Sequence, residues 1–188
     1  MKVHLLRVVF ALLGSFIFGS LAVANPLNNW HWRNPLPNGN YVYTPVTYNL
    51  NSIIFTNGVF YGAGSYGVVE TSTDGMHWST NSTATTNQLN DIIYANGGFI
   101  AVGNSGTVET SADGTNWVLQ NSGTPANLST VAYGNGKYAA SGGAVIASPD
   151  GVHWSAAFSN LNGASGLAGG PAGFVAIAGN QDFFPRMA

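Results

Sequence analysis

The chain has 188 residues, of which 45% are hydrophobic and only 6% are charged. An ordinary soluble domain has about 25% charged residues, so the composition argues against a coiled coil and against a nucleic-acid clamp. The absence of cysteine rules out a disulfide scaffold, a thiolate metal site and a cysteine nucleophile. Abundant glycine and asparagine, together with many aromatic and β-branched residues, are typical of β-strands joined by tight turns.

Residues 1–24 have the pattern of a secretory signal peptide. Lys2 and Arg7 give a positive start, residues 8–18 are mainly apolar, and an Ala-Val-Ala cleavage site ends the segment. The apolar run is short for a membrane span of roughly 20 residues. We therefore expect cleavage after Ala24, a secreted or periplasmic protein, and no membrane contact after cleavage.

Cleavage leaves very little positive charge on the mature chain. Its basic residues are Arg33, Lys137 and Arg186, against seven acidic residues. Such a surface has no basic patch for phosphate groups or anionic lipid, so we expect no nucleic-acid partner. Because an exported chain without cysteine has no disulfides, packing alone must hold the fold.

Turn signals recur about every 39 residues. The Asn-Gly pairs begin at residues 57, 96 and 135, and the Asp-Gly pairs at residues 74, 113 and 150. An apolar run that opens with leucine precedes each Asn-Gly pair. Three matching copies predict a repeat architecture. We assign the copies to residues 50–88, 89–127 and 128–160, with a partial copy at 161–188.

Each copy predicts four short antiparallel strands. In the first copy, residues 53–56 form strand a, 60–63 strand b, 68–72 strand c and 77–80 strand d. The Asn-Gly pair predicts a type I′ hairpin turn, which needs positive φ at both positions. Four strands in about 39 residues are the unit of a β-propeller blade. Strand a is apolar at consecutive positions, so we expect it to be buried on both faces.

The number of blades depends on the two ends of the repeat region. Residues 30–34 resemble a strand d without its partners, and they lie in an N-terminal segment, 25–49, that is otherwise an irregular linker. Residues 166–178 supply strands a and b of a fourth copy, and the last eight residues abandon the pattern. We expect an all-β protein, a β-propeller with about 3.5–4 blades.

Two interpretations of this count remain open. Either both ends together complete a four-bladed propeller, or the chain is the N-terminal part of a larger one; we favour the second, because the final residues depart from the repeat. An incomplete propeller would also be prone to self-association.

The turn between strands c and d carries the most specific motif, S-x-D-G-x-x-W. It resembles the Asp-box, or BNR, repeat of sialidase-like and photosystem II assembly-factor-like β-propellers, although the usual box has one more residue between Asp and Gly. The resemblance covers roughly residues 30–178. The motif residues are Ser72, Asp74, Gly75 and Trp78, then Ser111, Asp113, Gly114 and Trp117, then Ser148, Asp150, Gly151 and Trp154.

We expect this motif to be structural. An Asp side chain can accept hydrogen bonds from the N–H groups of its own turn, glycine permits positive φ, and the tryptophan covers the hairpin. Catalytic carboxylates must face one another within several ångströms, whereas these stand one per blade. The resemblance also implies that the box lies on the rim, away from the ligand face.

The other titratable residues predict no catalytic centre, no metal and no cofactor. His77 and His153 precede motif tryptophans in different blades, so we expect solvated surface histidines. Glu70 and Glu109 match in strand c, where the third copy has Ile146, so we interpret them as pleat positions rather than general acids.

The resemblance implies that a sialidase would hold its substrate carboxylate with three arginines. The mature chain has only Arg33 and Arg186, both outside the complete repeats. This deficit argues against sialidase activity.

A ligand should bind at the b–c and d–a loops, on the face opposite the motif turns. The candidate residues are Ser65, Tyr66, Asn104 and Ser105, together with the polar runs 80–87 and 120–127. Tyr66 could stack on a sugar ring. We expect a non-enzymatic binding or interaction module for a glycan or a protein. The alternatives are a fragment of a sialidase-like glycoside hydrolase and an envelope assembly factor.

Overall fold

The computed structural model describes residues 48–75, 77–158 and 164–178, which all belong to one compact unit. Within these ranges the chain is almost entirely β-structure, and helical geometry is limited to two 3-10 turns. No helix in this part of the chain is long and apolar enough to cross a bilayer. The predicted signal peptide, the strand at 30–34 and the last eight residues lie outside the described residues.

In the described ranges, three four-stranded sheets and one two-stranded sheet follow one another along the chain, and neighbouring strands within each sheet are antiparallel. The first sheet contains β1 (Leu50–Thr56), β2 (Val59–Gly64), β3 (Val68–Ser72) and β4 (Ser79–Ser82). The second contains β5 (Leu89–Ala95), β6 (Gly98–Gly103), β7 (Val108–Ser111) and β8 (Val118–Gln120). The third contains β9 (Leu128–Gly134), β10 (Lys137–Gly142), β11 (Val145–Ser148) and β12 (Ser155–Phe158), and the last β13 (Ala164–Gly170) and β14 (Gly173–Ala178).

The Asn-Gly turns fix the register of each inner hairpin. Asn57 and Gly58 have φ of 52° and 78°, and the other two pairs have the same positive values within a few degrees. Both central residues of a type I′ turn need positive φ, so that prediction is confirmed. Beyond the turn, Thr56 pairs with Val59, and Phe55 with Phe60.

The apolar core lies between consecutive sheets, which stack face to face in chain order with their first strands side by side. The first interface joins Tyr61, Ala63 and Val69 to Leu89, Ile92, Phe99, Ala101 and Trp117. The second joins Ile100, Val102 and Val108 to Leu128, Val131, Tyr138, Ala140, Ile146 and Trp154. Each sheet is therefore a blade that completes its core only when a neighbour covers it.

The prediction that the first strand is buried on both faces is wrong for β1. Ile53 is 55% exposed, whereas the matching Ile92 and Val131 are buried. Phe55 is 61% exposed, and the matching Tyr94 in the second blade is also exposed, although less so, at 37%. β5 and β9 pack between two blades, but among the described residues no sheet covers that side of β1. Consecutive apolar residues therefore mark a strand suited to burial on two sides, and the neighbours decide whether both sides are covered.

Asp91 ties the first strands of three blades together. Its Oδ1 accepts hydrogen bonds from Ser52 Oγ at 2.7 Å and from the N–H of Ile92 at 2.9 Å. Its Oδ2 accepts from Thr130 Oγ1 at 3.1 Å and from the N–H of Val131 at 2.9 Å. One carboxylate thus satisfies donors on β1, β5 and β9.

The c–d turns organise themselves around one Ser and one Asp. In the second blade, Ser111 Oγ accepts from the N–H of Gly114 at 2.9 Å, and Asp113 Oδ1 accepts from the N–H of Asn116 at 2.8 Å. The indole N–H of Trp117 donates to the Gly114 carbonyl at 3.2 Å. The same serine and aspartate contacts recur at Ser72, Asp74 and Gly75 and at Ser148, Asp150 and Gly151.

The c–d turn requires glycine for two reasons, a positive φ and the close approach of a side chain from the preceding blade. Gly114 has φ of +78°, and a Cβ at this position would lie 2.3 Å from the ring of Tyr61 on the preceding blade. Gly151 has φ of +83°, and its Cβ would lie 2.8 Å from Ile100. The turn therefore also receives a side chain from the blade before it.

Glu109 lies in strand β7, as its interpretation as a pleat position requires, but it is fully buried. Among the described residues, neither carboxyl oxygen has a partner in good hydrogen-bond geometry, although Thr83 and the backbone of Ala84 lie near enough to oppose part of the effect of burial on its pKa. Burial raises the pKa of Glu109 above its ordinary value. The matching Ile146 is also buried, which shows that this position faces the preceding blade.

We expect Asp113→Ala to lower the melting temperature by several degrees, because the turn loses the acceptor for its N–H groups. Those bonds hold the pKa of the Asp113 carboxyl well below its usual range. A carboxylate with a lowered pKa stabilises the fold above its unfolded-state pKa of about 3.9 and loses this effect as the pH falls toward the folded pKa. Thermal melts should therefore show a larger drop at neutral pH than near pH 2. Ala112→Ser, at the exposed neighbour, is the control, and equal melting temperatures for Asp113→Ala and wild type would contradict the prediction.

We expect Asp91→Asn to lower the free energy of unfolding by about 1–3 kcal/mol. The substitution replaces one of the two acceptor oxygens by an amide nitrogen, which cannot accept the hydrogen bonds made on that side. Thr130→Val removes one of these bonds and should cost about 1 kcal/mol. Urea denaturation measures both values. A variant Asp91→Asn as stable as the wild type would show that the carboxylate does not tie the blades together.

We expect Glu109→Gln to become increasingly stable relative to the wild type as the pH rises. A carboxyl whose pKa is raised by folding supports the fold below its unfolded-state pKa of about 4.3, and this support is lost as the pH rises through the folded pKa. Glutamine has no charge to bury, so it avoids the loss. The measurement is the free energy of unfolding from pH 4 to pH 8, with Glu70→Gln on the open side of the first blade as the control. A difference that is independent of pH for Glu109→Gln would oppose this account.

Candidate binding face

The loops between second and third strands lie at the same end of the stack as the connections between blades. Antiparallel order places these loops opposite the Asn-Gly and Asp-Gly turns. The loop face is defined as residues 65–67, 83–88, 104–107 and 121–127 at this end. Ser65, Tyr66, Asn104 and Ser105, which the sequence nominates, all belong to it.

The b–c loops hold their central residue in a fixed left-handed conformation. Tyr66 has φ of 59° and Ser105 has φ of 56°, and a glycine with positive φ follows each of them. A Cβ at Gly106 would lie 1.7 Å from the carbonyl oxygen of Thr124. This approach requires glycine and fastens the b–c loop against the connection between blades.

Tyr66 forms the edge of a cleft of about 350 Å³. Its side chain is 69% exposed, and its ring meets the ring of Tyr48 edge to face with centroids 6.4 Å apart. The cleft is lined by Asn49, Ser65, Tyr66, Thr86 and Gln88. The lining therefore combines an aromatic ring with uncharged polar groups.

Asn104 and Ser105 do not line this cleft. They take part in hydrogen bonds with amide side chains beside it. Gln88 Nε2 donates to Asn90 Oδ1 at 3.2 Å, and Asn90 Nδ2 donates to Asn104 Oδ1 at 3.0 Å. The N–H of Ser105 donates to Asn127 Oδ1 at 2.9 Å. The structure thus unites two of the four nominated residues in one cleft and uses the other two to hold neighbouring loops.

Sequence reasoning missed Asn49 and Gln88 among the lining residues of the cleft, whereas Thr86 belongs to the nominated run 80–87. Asn49 precedes the first repeat, and Gln88 lies just after the polar run 80–87, so neither has a motif of its own. Their place in the repeat, next to the b–c loop of the same blade, is the signal that could have nominated them.

The opposite end carries a larger cleft of about 430 Å³ between the second and third blades. Asn116 and Asp150 are among its lining residues. The carboxylate of Asp150 already accepts hydrogen bonds from Val152 and His153 of its own turn. The polar groups of this cleft are therefore largely committed to local structure.

The two motif histidines lie on exposed turns. Nδ1 of His77 is 2.7 Å from Asp74 Oδ2, and Nδ1 of His153 is 2.7 Å from Asp150 Oδ2. The N–H of His153, followed by its ring, lowers the pKa of the Asp150 carboxyl. Exposed pairs of this kind contribute little to stability, because water screens them.

The described residues contain no group of three His, Asp or Glu side chains close enough to hold a metal ion. The motif aspartates stand one per blade, each bonded within its own turn. Asp91 is bonded to the first strands of three blades, and Glu109 is buried between two.

No family model and no curated protein matches this chain. Among solved structures it is similar to YCF48 from Cyanidioschyzon merolae, with 20% identity and a TM-score of 0.49 over 60% of this chain and 38% of that one. It is also similar to YCF48 bound to D1 peptide, with 19% identity and a TM-score of 0.51 over 69% of this chain and 48% of that one. The chain thus spans less than half the length of either structure. At this level of identity the likeness shows the fold alone, and it confirms the predicted β-propeller architecture.

Proposed function

We propose that the protein is a non-enzymatic interaction module that binds an extended peptide segment of a protein partner at the Tyr66 cleft. The observation that carries the proposal is the exposed Tyr66 ring, held in a fixed loop above uncharged hydrogen-bonding side chains. A tyrosine offers a large apolar surface and a polar tip at low entropic cost, which suits an anchor for a partner.

The chemistry of the lining favours a peptide backbone. Asn49 and Gln88 each carry an amide that both donates and accepts, and Ser65 and Thr86 add hydroxyls. A peptide presents alternating N–H and C=O groups, which such side chains can match without a charge on either partner. None of the described residues that line the cleft is charged, which argues against recognition of a phosphate or a carboxylate.

A solved β-propeller bound to D1 peptide supports the proposal by showing that a similar fold can hold a peptide. We also propose that the chain is secreted or periplasmic and that an assembly role is compatible with peptide binding. The localisation rests on residues 1–24 alone.

We expect Tyr66→Ser to weaken peptide binding by about tenfold or more, since the anchor of a small interface commonly carries this much of the affinity. Serine is the residue at the same place in the second blade, where it adopts almost the same φ, so the loop should keep its conformation. Peptides selected from a random displayed library on the wild-type protein are the probe, and fluorescence anisotropy measures the dissociation constant.

Two control variants accompany this test. Leu119→Ser, on the exposed outer strand β8, and Asp113→Ala, in a motif turn, should both keep the affinity for the same peptide. Equal affinity of Tyr66→Ser and wild type would place the site elsewhere. Selective binding to a glycan array without any selected peptide would replace the peptide by a sugar, and hydrolysis of a fluorogenic glycoside would show that the protein is an enzyme.

A further inference from the structure

The first blade has an open apolar face on the side where the later blades each receive a predecessor. This leading face consists of Ile53, Phe55, Phe60 and Trp78. Phe55 and Phe60 stack with ring centroids 4.6 Å apart, and Phe60 and Trp78 with centroids 6.4 Å apart. Ile53 and Phe55 are more than half exposed, and the other two are half-buried.

Three of these four positions are covered in the two following blades, whereas the matches of Phe55 are Tyr94, which is 37% exposed, and Tyr133, which is half-buried. Ile92, Phe99 and Trp117 are buried in the second, and Val131, Tyr138 and Trp154 in the third. The ring of Tyr61 from the preceding blade lies 4.5 Å from the ring of Phe99. The leading face therefore has the side chains of a receiving surface.

Among the described residues, the motif turn of the first blade also lacks the side chain that the later motif turns receive from a preceding blade. Gly114 receives Tyr61, and Gly151 receives Ile100, each from the blade before. At Gly75, the nearest described atom to a Cβ belongs to Phe60 of the same sheet, at 3.7 Å. The slot for an incoming side chain is formed there, and no described residue from another sheet fills it.

The two-stranded sheet at the other end of the stack exposes the opposite kind of surface. Val175 and Ile177 of β14, the trailing face, are 68% and 67% exposed. Val175 pairs with Ala168 in the same register in which Tyr61 pairs with Ile54. Val175 and Ile177 thus stand where Tyr61 and Ala63 stand in the first blade, and those two are buried against the second blade.

We propose that the trailing face of one copy of this chain packs against the leading face of a second copy, head to tail. The repeat itself supplies the complementarity, because each face is the missing half of an interface that this chain makes between its own blades. No charged side chain belongs to either face as defined. The adjacent Glu70 has a buried counterpart in Glu109, so the interface tolerates a carboxyl at this place.

We infer that two copies joined head to tail form a closed ring. A head-to-tail contact gives a ring where the rotation closes and a filament where it does not. The stretch of the solved propeller that matches this chain is 48% of its length. The matched stretches of two copies would together have nearly the length of that chain. Self-association lies beyond the peptide-binding proposal, since it uses the ends of the stack rather than the loop face.

The absence of cysteine makes a direct test available. Ile53→Cys and Val175→Cys are prepared as separate proteins, mixed, and treated with a short bismaleimide cross-linker. We expect a covalent dimer in the mixture and only monomer when either variant is treated alone. Leu119→Cys, exposed on the outer strand β8, is the matched control and should not cross-link with either variant.

A chain that carries both Ile53→Cys and Val175→Cys distinguishes the other arrangements. A cross-link between two chains supports the proposal, whereas a cross-link within one chain shows closure of a single chain and overturns it. Linkage of Ile53→Cys to itself would indicate a two-fold contact and would also overturn it. Light scattering on the wild type should give twice the monomer mass. Ile53→Glu or Val175→Glu should restore the monomer, whereas the control Leu119→Glu should leave the dimer intact. A wild type that is monomeric at every concentration would overturn the proposal.

Discussion

Face-to-face burial between consecutive sheets holds this molecule together. Each four-stranded sheet has two apolar faces, and its own strands cover neither of them. Stability therefore comes from stacking, as in other repeat proteins, where each unit contacts only its neighbours. The buried clusters join Tyr61 to Phe99 and Ile100 to Tyr138 across successive blades, and Asp91 adds a polar tie along the first strands.

Because the blades stack face to face, the two ends of the stack have different roles in the structure. The motif turns face one end, where Ser, Asp and Gly are used for local hydrogen bonds and for close contact with the preceding blade. At the other end, the b–c loops keep a glycine with positive φ at Gly67 and Gly106, and the residue before it is tyrosine in the first blade and serine in the second. In the first blade this residue is Tyr66, and its exposed ring forms the edge of the Tyr66 cleft, which Asn49 and Gln88 also line.

Local signals allowed much of the architecture to be predicted. Asn-Gly pairs, short apolar runs and the S-x-D-G-x-x-W motif are local signals, and each turn forms from residues that are neighbours along the chain. The left-handed φ of Asn57 and the acceptor role of Asp113 follow from such residues. Of the nominated binding residues, Ser65 and Tyr66, which are neighbours in one loop, line the cleft.

The remaining features depend on contacts between residues about 39 positions apart. Glu109 and Glu70 look alike in the sequence, and yet one is fully buried because a blade precedes it and the other is not. The same difference exposes Ile53 and buries Ile92. The amino-acid order thus fixes turns, strands and repeat length, since these form locally, whereas burial, ionisation and the open faces are set by which blade lies against which.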